Sequence, residues 1–350
     1  MIGQIRRATG RGGGGVVRGI GDDCAVLRLP RGHEALVTTD FSLESVHFRR
    51  EWHPADCIGH RCLTRGLSDI AAMGGEPMAT FLSLAVPADL PQDWVDCFLA
   101  GFMRLARRFK VRLAGGDIAQ SPSGVLADVT VLGSAPRGKA VLRSGAKPGD
   151  DVYVTGNLGN GVAVLRELMS GRQAQGPSTP RAKTGRASLG MTFSKRASPN
   201  PAEEKHFYPT PRVEVGRWLR ERGLASAMID ISDGLSTDLS HICEESRCGA
   251  WIAQSAVPVA SGATLEDALH GGDEYELLFT APAAKHTRIP ARIAGVPVRW
   301  IGTITKPPGM WLVAPELKAR VPLEAKGWEH FKNVSRSPFP VSRQRRGGND

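Results

Sequence analysis

The sequence contains no C-x-x-C pair and no zinc-site spacing. Its six cysteines in 350 residues imply reduced core thiols rather than a disulfide framework. No apolar run reaches membrane-spanning length, and the opening MIGQIRRATGRGGGG has basic residues but no apolar signal core. A soluble, cytoplasmic protein is the expectation. No Ser-His-Asp or Cys-His nucleophile stands out. Two glycine-rich stretches invite a phosphate-loop reading, and each lacks part of it. Gly133 to Lys139 (GSAPRGK) satisfies G-x-x-x-x-G-K but continues into Ala140, where Ser or Thr should hold magnesium, and no helix pattern follows. Gly156 to Gly161 joins a strand pattern to a helix pattern without the G-x-G-x-x-G spacing, which leaves only a weak backbone-amide signal.

What the sequence does contain is carboxylate at the ends of short apolar runs. Gly19, Ile20 and Gly21 lead to Asp22 and Asp23, Cys24 to Leu29 reads as a strand, and Glu34 to Thr39 as a second strand delivering Asp40. Val111 to Asp117 (VRLAGGD) and Ser226 to Asp233 (SAMIDISD) repeat the pattern. Any single Gly-Asp pair is an ordinary turn former. Four acidic strand ends together, at Asp23, Asp40, Asp117 and Asp230/Asp233, favour a metal site, because strand ends are exposed yet held by a sheet. With no Cys or His beside them, these acids suit a hard cation that takes oxygen ligands, magnesium first among them.

A net charge of +10 argues for polyanion binding only if it gathers on a folded surface. Residues 1–18 carry four Arg and no acid, residues 171–205 seven Lys/Arg against two Glu, and residues 332–350 five Lys/Arg against one Asp, so the remainder is net acidic. These basic segments are rich in Gly, Ser and Pro and read as solvated chain. The length suggests two domains. The expected division is a flexible N-terminus over 1–18, one domain over 19–145, a second over 146–331 interrupted by a low-complexity insert at 171–205, and a disordered tail over 332–350.

Between these limits, Ile58, Cys62, Leu63, Leu67 and Ile70 predict a helix from His53 to Ala72 with Asp69 near its end. A second helix begins at Pro91, with Arg104, Arg107, Arg108 and Lys110 on its wet face. Arg143 and Lys147 are expected on a hairpin, and Asp233 as N-cap of a helix closed by Gly249.

GIGDDCAVL, TTDFSLESVHF, LSDIAAMGG, AGGDIAQSP, LRSGAKPGD, YVTGNLGNG, PTPRVEVG, MIDISDGLSTDLSHI, GGDEYELLFT and KGWEHF occur in the order seen in bacterial thiamine-monophosphate kinases. From about Gly19 to Phe331, apart from the insert, the chain resembles that family. The Gly-Asp-Asp and Gly-Gly-Asp elements are shared with aminoimidazole ribonucleotide synthetase, selenophosphate synthetase and the hydrogenase-maturation dehydratase, whereas LESVHF, GGDEYELLFT and KGWEHF narrow the resemblance to the kinases. It implies an α/β (α+β type) fold of two domains with mixed sheets, similar to aminoimidazole ribonucleotide synthetase. It also implies ATP-dependent phosphorylation of thiamine monophosphate to the diphosphate, in a homodimer whose amino-terminal sheets join into a barrel beside the active sites.

The same resemblance implies several magnesium ions held by Asp23, Thr38, Thr39, Asp40, Asp69, Asp117, Asp230 and Asp233. It places Phe109, Gly116, Asp117, Arg143 and Ser232 at ATP, and His47, Asp273 and Trp328 at thiamine phosphate. The chain departs from the family's usual Gly-Gly-Glu-Asp-Tyr-Glu at Asp273-Glu274, from Asp-Ser at Asn160-Gly161, and from Tyr at Phe109. On the residues alone His47 reads as a structural histidine and Trp328 as a core tryptophan. Two rival readings stay open: another ATP-dependent member of the superfamily with a different acceptor, and a non-catalytic basic binding protein on this scaffold, against which the intact acids argue. A phosphate-monoester acceptor is largely a dianion above about pH 6. Its phosphorylation therefore needs cations that bring two polyanions together more than it needs a base.

Overall fold

The structure is a computed structural model that describes residues 14–20, 23–170, 201–314 and 319–328. A small hairpin of β1 (Val16–Arg18) and β2 (Val26–Leu27) precedes a four-stranded sheet of β3 (His33–Leu43), β4 (Glu76–Pro87), β5 (Arg112–Ser121) and β6 (Leu126–Pro136). The order is β3-β6-β4-β5, with β4 and β5 parallel and the other pairs antiparallel. A parallel pair needs a crossover, which α2 (Gln92–Arg108) supplies while packing against α1 (Ala55–Ala72). The five apolar α1 positions named above are at most 1% exposed and share a core with Phe98 and Phe102 of α2 and Val129 and Val131 of β6.

Two glycines let these helices touch. A Cβ on Gly59 would lie 1.9 Å from the Phe98 carbonyl oxygen, and one on Gly101 would lie 1.8 Å from that of Asp56. Gly101→Ala is therefore expected to wedge α1 and α2 apart and destabilise the fold by about 2 kcal/mol, the range of overpacked cores. A urea midpoint equal to wild type would show that the crossing can yield at no cost.

The second sheet contains β7 (Asp150–Thr155), β8 (Ala227–Ile231), β9 (Gly249–Ala253), β10 (Glu276–Pro282), β12 (Val296–Thr305), β13 (Gly309–Ala314) and β14 (Ala319–Pro322). They run in the order β14-β13-β9-β12-β7-β10-β8, with β11 (Arg292–Ile293) paired on β12 and only β13 and β9 parallel. Leu235, Leu239 and Ile242 of α6 (Leu235–Ser246) and Ala268 and Leu269 of α7 (Leu265–His270) pack into one core with residues of β7, β8 and β9. Val213, Val215 and Leu219 of α5 (Val213–Glu221) join a different core with Tyr153, Met228 and Phe279. Ala71 and Ala72 of α1 belong to that core too, and a Cβ on Gly216 would lie 2.0 Å from the Ala71 carbonyl oxygen. The first layer is thereby seated directly on the second through the end of α1, where Asp69 stands.

Several local expectations change in the folded chain. Val16–Arg18, expected within the flexible N-terminus, is a paired strand. Residues 1–13, 171–200 and 329–350 lie outside the described residues, but α4 (Pro201–Phe207) belongs to the fold, and Lys205 Nζ lies 3.0 Å from Glu276 and 3.3 Å from Glu274. Residues 201–205, expected as the end of the insert, are therefore helical. Residues 137–149 form an irregular connection instead of a hairpin, because Val141 N–H donates to Met73 O and Leu142 O accepts from Met228 N, binding the segment to two separate elements. Gly234, not Asp233, is the N-cap of α6, which ends at Ser246. Cys24 and Cys97 are exposed and the other four cysteines are buried. No described helix is long and apolar enough to cross a membrane.

Candidate active site

Strand alternation splits Thr38-Thr39-Asp40 between the two faces of the first sheet. Thr38 and Asp40 face α1, which Gly66 seats closely: a Cβ there would lie 2.6 Å from Val131 Cγ2 and 3.5 Å from Thr38 Cγ2. That approach brings Asp69, in the last turn of α1, to β3, where Thr38 Oγ1 donates to Asp69 Oδ2. Ser68 Oγ donates to Oδ2 of Asp230 at 2.6 Å, which draws the end of β8 to the same place. Burial pushes the Asp40 carboxyl up to about 7, helped by the Asp69 charge and opposed by Arg65. Burial also raises Asp69, against the bond from Thr38, and raises Asp230 well above the usual carboxylate range, with the charge of Asp69 adding to it. Asp40 Oδ2 is buried with no hydrogen-bond partner. Three crowded carboxylates with an orphaned oxygen must take up protons or a cation. The oxygen-only donor set suits a hard divalent ion such as magnesium.

A second acidic group continues from the first. Asp233, Asp238 and His241 bring ligand atoms within 4.8 Å of one another at the start of α6. Asp238 Oδ2 accepts from the amides of Ser232 (3.1 Å), Asp233 (3.2 Å) and Gly234 (3.0 Å). Asp238 thus does the capping that sequence reasoning gave to Asp233. Burial, then the Asp233 charge, pushes Asp238 up to about 7.

Two further segments close on this turn. Trp328 N–H donates to Asp233 O at 3.0 Å, and Gly327 N–H to Thr237 Oγ1 at 2.9 Å, leaving the Trp328 side of the chain 52% exposed instead of in a core. Asp273 N–H donates to Ser232 O at 2.8 Å. Asp273 and Tyr275 hold φ of 61° and 54°, the left-handed region that L residues seldom occupy. The Asp273 carboxylate accepts from Arg61 Nη2 (2.7 Å), Arg65 Nη2 (3.0 Å) and the Tyr275 hydroxyl (2.6 Å). Although burial opposes it, Arg65 and Arg61 hold Asp273 well below the usual carboxylate range. Neighbouring Glu274 accepts from the amides of Gly159 (2.9 Å) and Gly161 (3.1 Å). The glycine-rich turn that offered a weak phosphate signal is thus filled by a carboxylate of the chain itself.

Arg143 borders a cleft of ≈ 520 Å³ together with Thr38, Asp69, Met73, Met228 and Glu245. The structure therefore brings Thr38, Asp40, Asp69, Asp230, Ser232, Asp233, Asp273 and Trp328 to one seam, with Arg143 at its cleft. Other candidates lie elsewhere. Thr39 turns to the outer face of the sheet, where its hydroxyl donates to Asp128 Oδ1 at 2.8 Å. Strand register sets Phe41, Asp128, Ser83 and Asp117 in one row across that face, with Asp117 exposed on the far edge strand. Asp23 is exposed between β1 and β2. Gly116 has φ 144°, and a Cβ there would lie 1.9 Å from Leu82 O, which is reason enough for glycine. Phe109 packs where two cores meet, beneath the guanidinium of Arg108. His47 Nδ1 accepts from the Leu43 amide at 3.0 Å just past β3. Sequence reasoning missed Arg61, Arg65, Asp128, Asp238 and His241. For the arginines a signal existed, since Arg61, Arg65 and Asp69 recur every four residues along one helix face.

The AIR synthase related protein family matches this chain in two parts, its N-terminal domain over residues 21–135 and its C-terminal domain over residues 147–313. The thiamine-monophosphate kinase of Salmonella typhimurium (strain LT2) is 34% identical over 327 residues, 90% of this chain and 92% of that protein. That of Bacillus subtilis (strain 168) is 32% identical over 322 residues, 90% and 93% of the two chains. Among solved structures, thiamine-monophosphate kinase of Stenotrophomonas maltophilia superposes with a TM-score of 0.73 at 33% identity, over 89% of this chain and 94% of that one. AaThiL complexed with AMPPCP and TMP superposes with a TM-score of 0.71 at 28% identity, over 87% and 89%. HypE of E. coli, 17% identical with a TM-score of 0.71 over 95% of this chain and 98% of its own, is alike in fold alone.

Proposed function

The chain belongs to the AIR synthase related family and, within it, to the thiamine-monophosphate kinases, and we propose that it joins two phosphates by direct in-line transfer at the seam between its sheets. It is an ATP-dependent kinase of thiamine monophosphate. In the step, an acceptor phosphate oxygen bonds to the γ-phosphorus of ATP as the bond to ADP breaks, giving thiamine diphosphate and ADP. The observation that carries this reading is the orphaned, buried oxygen of Asp40 among Asp69 and Asp230, beside a cleft lined by Thr38, Asp69 and Arg143. Asp40, Asp69, Asp230 and Asp233, with Thr38 as a neutral ligand, would hold magnesium, whose positive charge offsets the repulsion between the two phosphates. Thr38 is kept in place by Asp69, and Arg143 and Ser232 face the nucleotide. No general base is needed for a dianionic acceptor. ATP-dependent conversion of thiamine monophosphate to the diphosphate, with and without magnesium, tests this, and absence of product in magnesium would overturn it.

A homodimer is part of this reading. The outer face of the first sheet exposes Val37 and Phe41, and its edge strands β3 and β5 have no second partner among the described strands. Joining two such sheets would cover that face together with Thr39, Asp128 and Asp117, and with Asp23 beside it.

Magnesium binding should depend on pH in a defined direction. Asp40 is raised from 3.8 to about 7, so the metal-free fold keeps that group's contribution below pH 3.8 and loses it as pH rises through about 7. Protons compete with the cation over the same range. Magnesium is expected to raise the melting temperature by several degrees at pH 8 and much less at pH 6. An equal rise at both values would mean that Asp40 takes no part in binding it.

Trp328 offers its indole to the cationic thiazolium of thiamine, a contact worth about 0.5–2 kcal/mol. Trp328→Ala is expected to weaken thiamine monophosphate binding roughly three- to thirtyfold with little change in melting temperature, since the residue is 52% exposed. Calorimetric titration and a thermal melt check both halves. A large fall in melting temperature at unchanged affinity would return Trp328 to a packing role.

A further inference from the structure

We propose that Arg65 takes hold of the acceptor phosphate and that Asp273 acts by aiming it, an inference that rests on the phosphotransfer reading. Arg61 and Arg65 sit one turn apart on α1 and both reach Asp273, yet they are not equivalent. Arg61 keeps only 5% of its side chain open and is used up within the fold, with Nη1 donating to His206 O and Nη2 to Asp273 Oδ2. Arg65 keeps 14% of its side chain open, and its bond to Asp273 Oδ1 engages one of the five N–H donors of a guanidinium. Its guanidinium carbon lies 5.9 Å from the centre of the Tyr275 ring, whose hydroxyl in turn holds Asp273 at 2.6 Å. The backbone at Asp273 and Tyr275 is left-handed, a strained conformation for L residues, on both sides of Glu274.

Position supports the assignment. Arg65 lies one turn before Asp69 on α1, on the same face of the helix. It therefore stands between the acidic group and the Asp273 loop, which is itself bonded to Ser232 beside Asp233 and Trp328. An acceptor whose aromatic end meets Trp328 would carry its phosphate toward this guanidinium. A planar, permanently charged fork suits a phosphate dianion better than any other side chain. On this account Asp273 reads the substrate through Arg65, and its exchange with Glu274 relative to the family's usual order keeps the short carboxylate at the arginines and the long one at the Gly159 and Gly161 amides.

The test uses the full chain and separates the phosphate from the rest of the ligand. Binding of thiamine monophosphate and of thiamine is measured by calorimetry for wild type, Arg65→Gln, Arg65→Lys and Asp273→Asn, alongside KM for both substrates and thermal melts. Arg65→Gln is expected to weaken thiamine monophosphate at least tenfold and thiamine less than twofold, with KM for ATP within twofold of wild type. Arg65→Lys should recover part of the loss, and Asp273→Asn should reduce the preference for the phosphorylated ligand in the same direction. Wild-type affinity for thiamine monophosphate in Arg65→Gln would overturn the proposal, as would equal loss of both ligands with a collapsed melt, which would make Arg65 a brace for the Asp273 loop. If the wild-type protein forms no thiamine diphosphate, the phosphotransfer reading itself falls. Wild-type turnover with Arg65→Gln unchanged sinks only the role of Arg65.

Discussion

Asp40→Asn is expected to reduce turnover at least a hundredfold while raising the melting temperature of the metal-free protein by several degrees. The two effects share a cause. Asp40 is held in a buried site beside Asp69 and is raised to about 7, so its ionised form works against the fold. The difference between 3.8 and about 7 corresponds to a few kcal/mol, on the order of 1–4 after allowance for relaxation. An amide removes the repulsion, and its N–H can donate to Asp69, whose side chain lies within hydrogen-bond reach of residue 40. The same change deletes an anionic ligand where charge must be neutralised during transfer, and the loss is set at about 100- to 1,000-fold by analogy with removal of one oxyanion-hole donor. The stability gain should be full above about pH 7 and shrink progressively as pH falls toward 3.8, where Asp40 is protonated in the folded and the unfolded chain alike. Product formation in magnesium and thermal melts across pH 4–8 measure both. Near-wild-type turnover would remove Asp40 from the site, and a lower melting temperature at pH 8 would show that its charge is compensated within the fold.

Glu276→Gln is expected to lower the melting temperature by about 10 °C, the largest stability loss among these variants. Glu276 is fully buried on β10, accepts from Arg212 through both oxygens (2.7 and 2.6 Å), from Thr155 Oγ1 at 2.6 Å, and pairs with Lys205 at 3.0 Å. Against the cost of burial, Lys205 and Arg212 hold its carboxyl down to about 2. Removing the charge leaves Arg212 without its anion and Lys205 with Glu274 alone, at 3.3 Å; breaking a buried pair costs about 3–5 kcal/mol, at roughly 2–4 °C per kcal/mol for a chain of this size. The sign with pH is opposite to that of Asp40. A carboxyl lowered from 4.5 to about 2 contributes stability that is present above 4.5 and lost as pH falls through about 2. The deficit of the variant should therefore be full at neutral pH and shrink in acid. A melt within 2 °C of wild type at pH 7 would mean that Arg212 and Lys205 find other partners.

Side-chain period and residue type were enough to determine a good deal here. The α1 and α2 stripes and the strands that carry Asp40, Asp117 and Asp230 follow from local pattern, because burying an apolar face obliges a helix or strand to repeat it, although Asp40 and Asp117 lie within β3 and β5 and not at their ends as expected. The refusal of GSAPRGK as a phosphate loop follows equally, since residues 137–149 form no helix. Pattern could not say which acids would meet. Thr39 and Asp40 are neighbours in sequence but lie on opposite faces of β3, whereas Asp230 reaches the group around Asp69 through Ser68, 162 residues away. The partners of Arg61, Arg65, Lys205 and Glu276 are likewise distant in sequence, and nothing in their neighbours announces them. The cap at Asp233 failed for a related reason: Asp238, one helical turn onward, reaches back to the same amides and wins them. Local sequence determines elements and their buried faces because those depend on neighbours along the chain. Only tertiary packing, by bringing α1, β3, β8 and the Asp273 loop to one seam, decides which charges face each other and therefore what the site can hold.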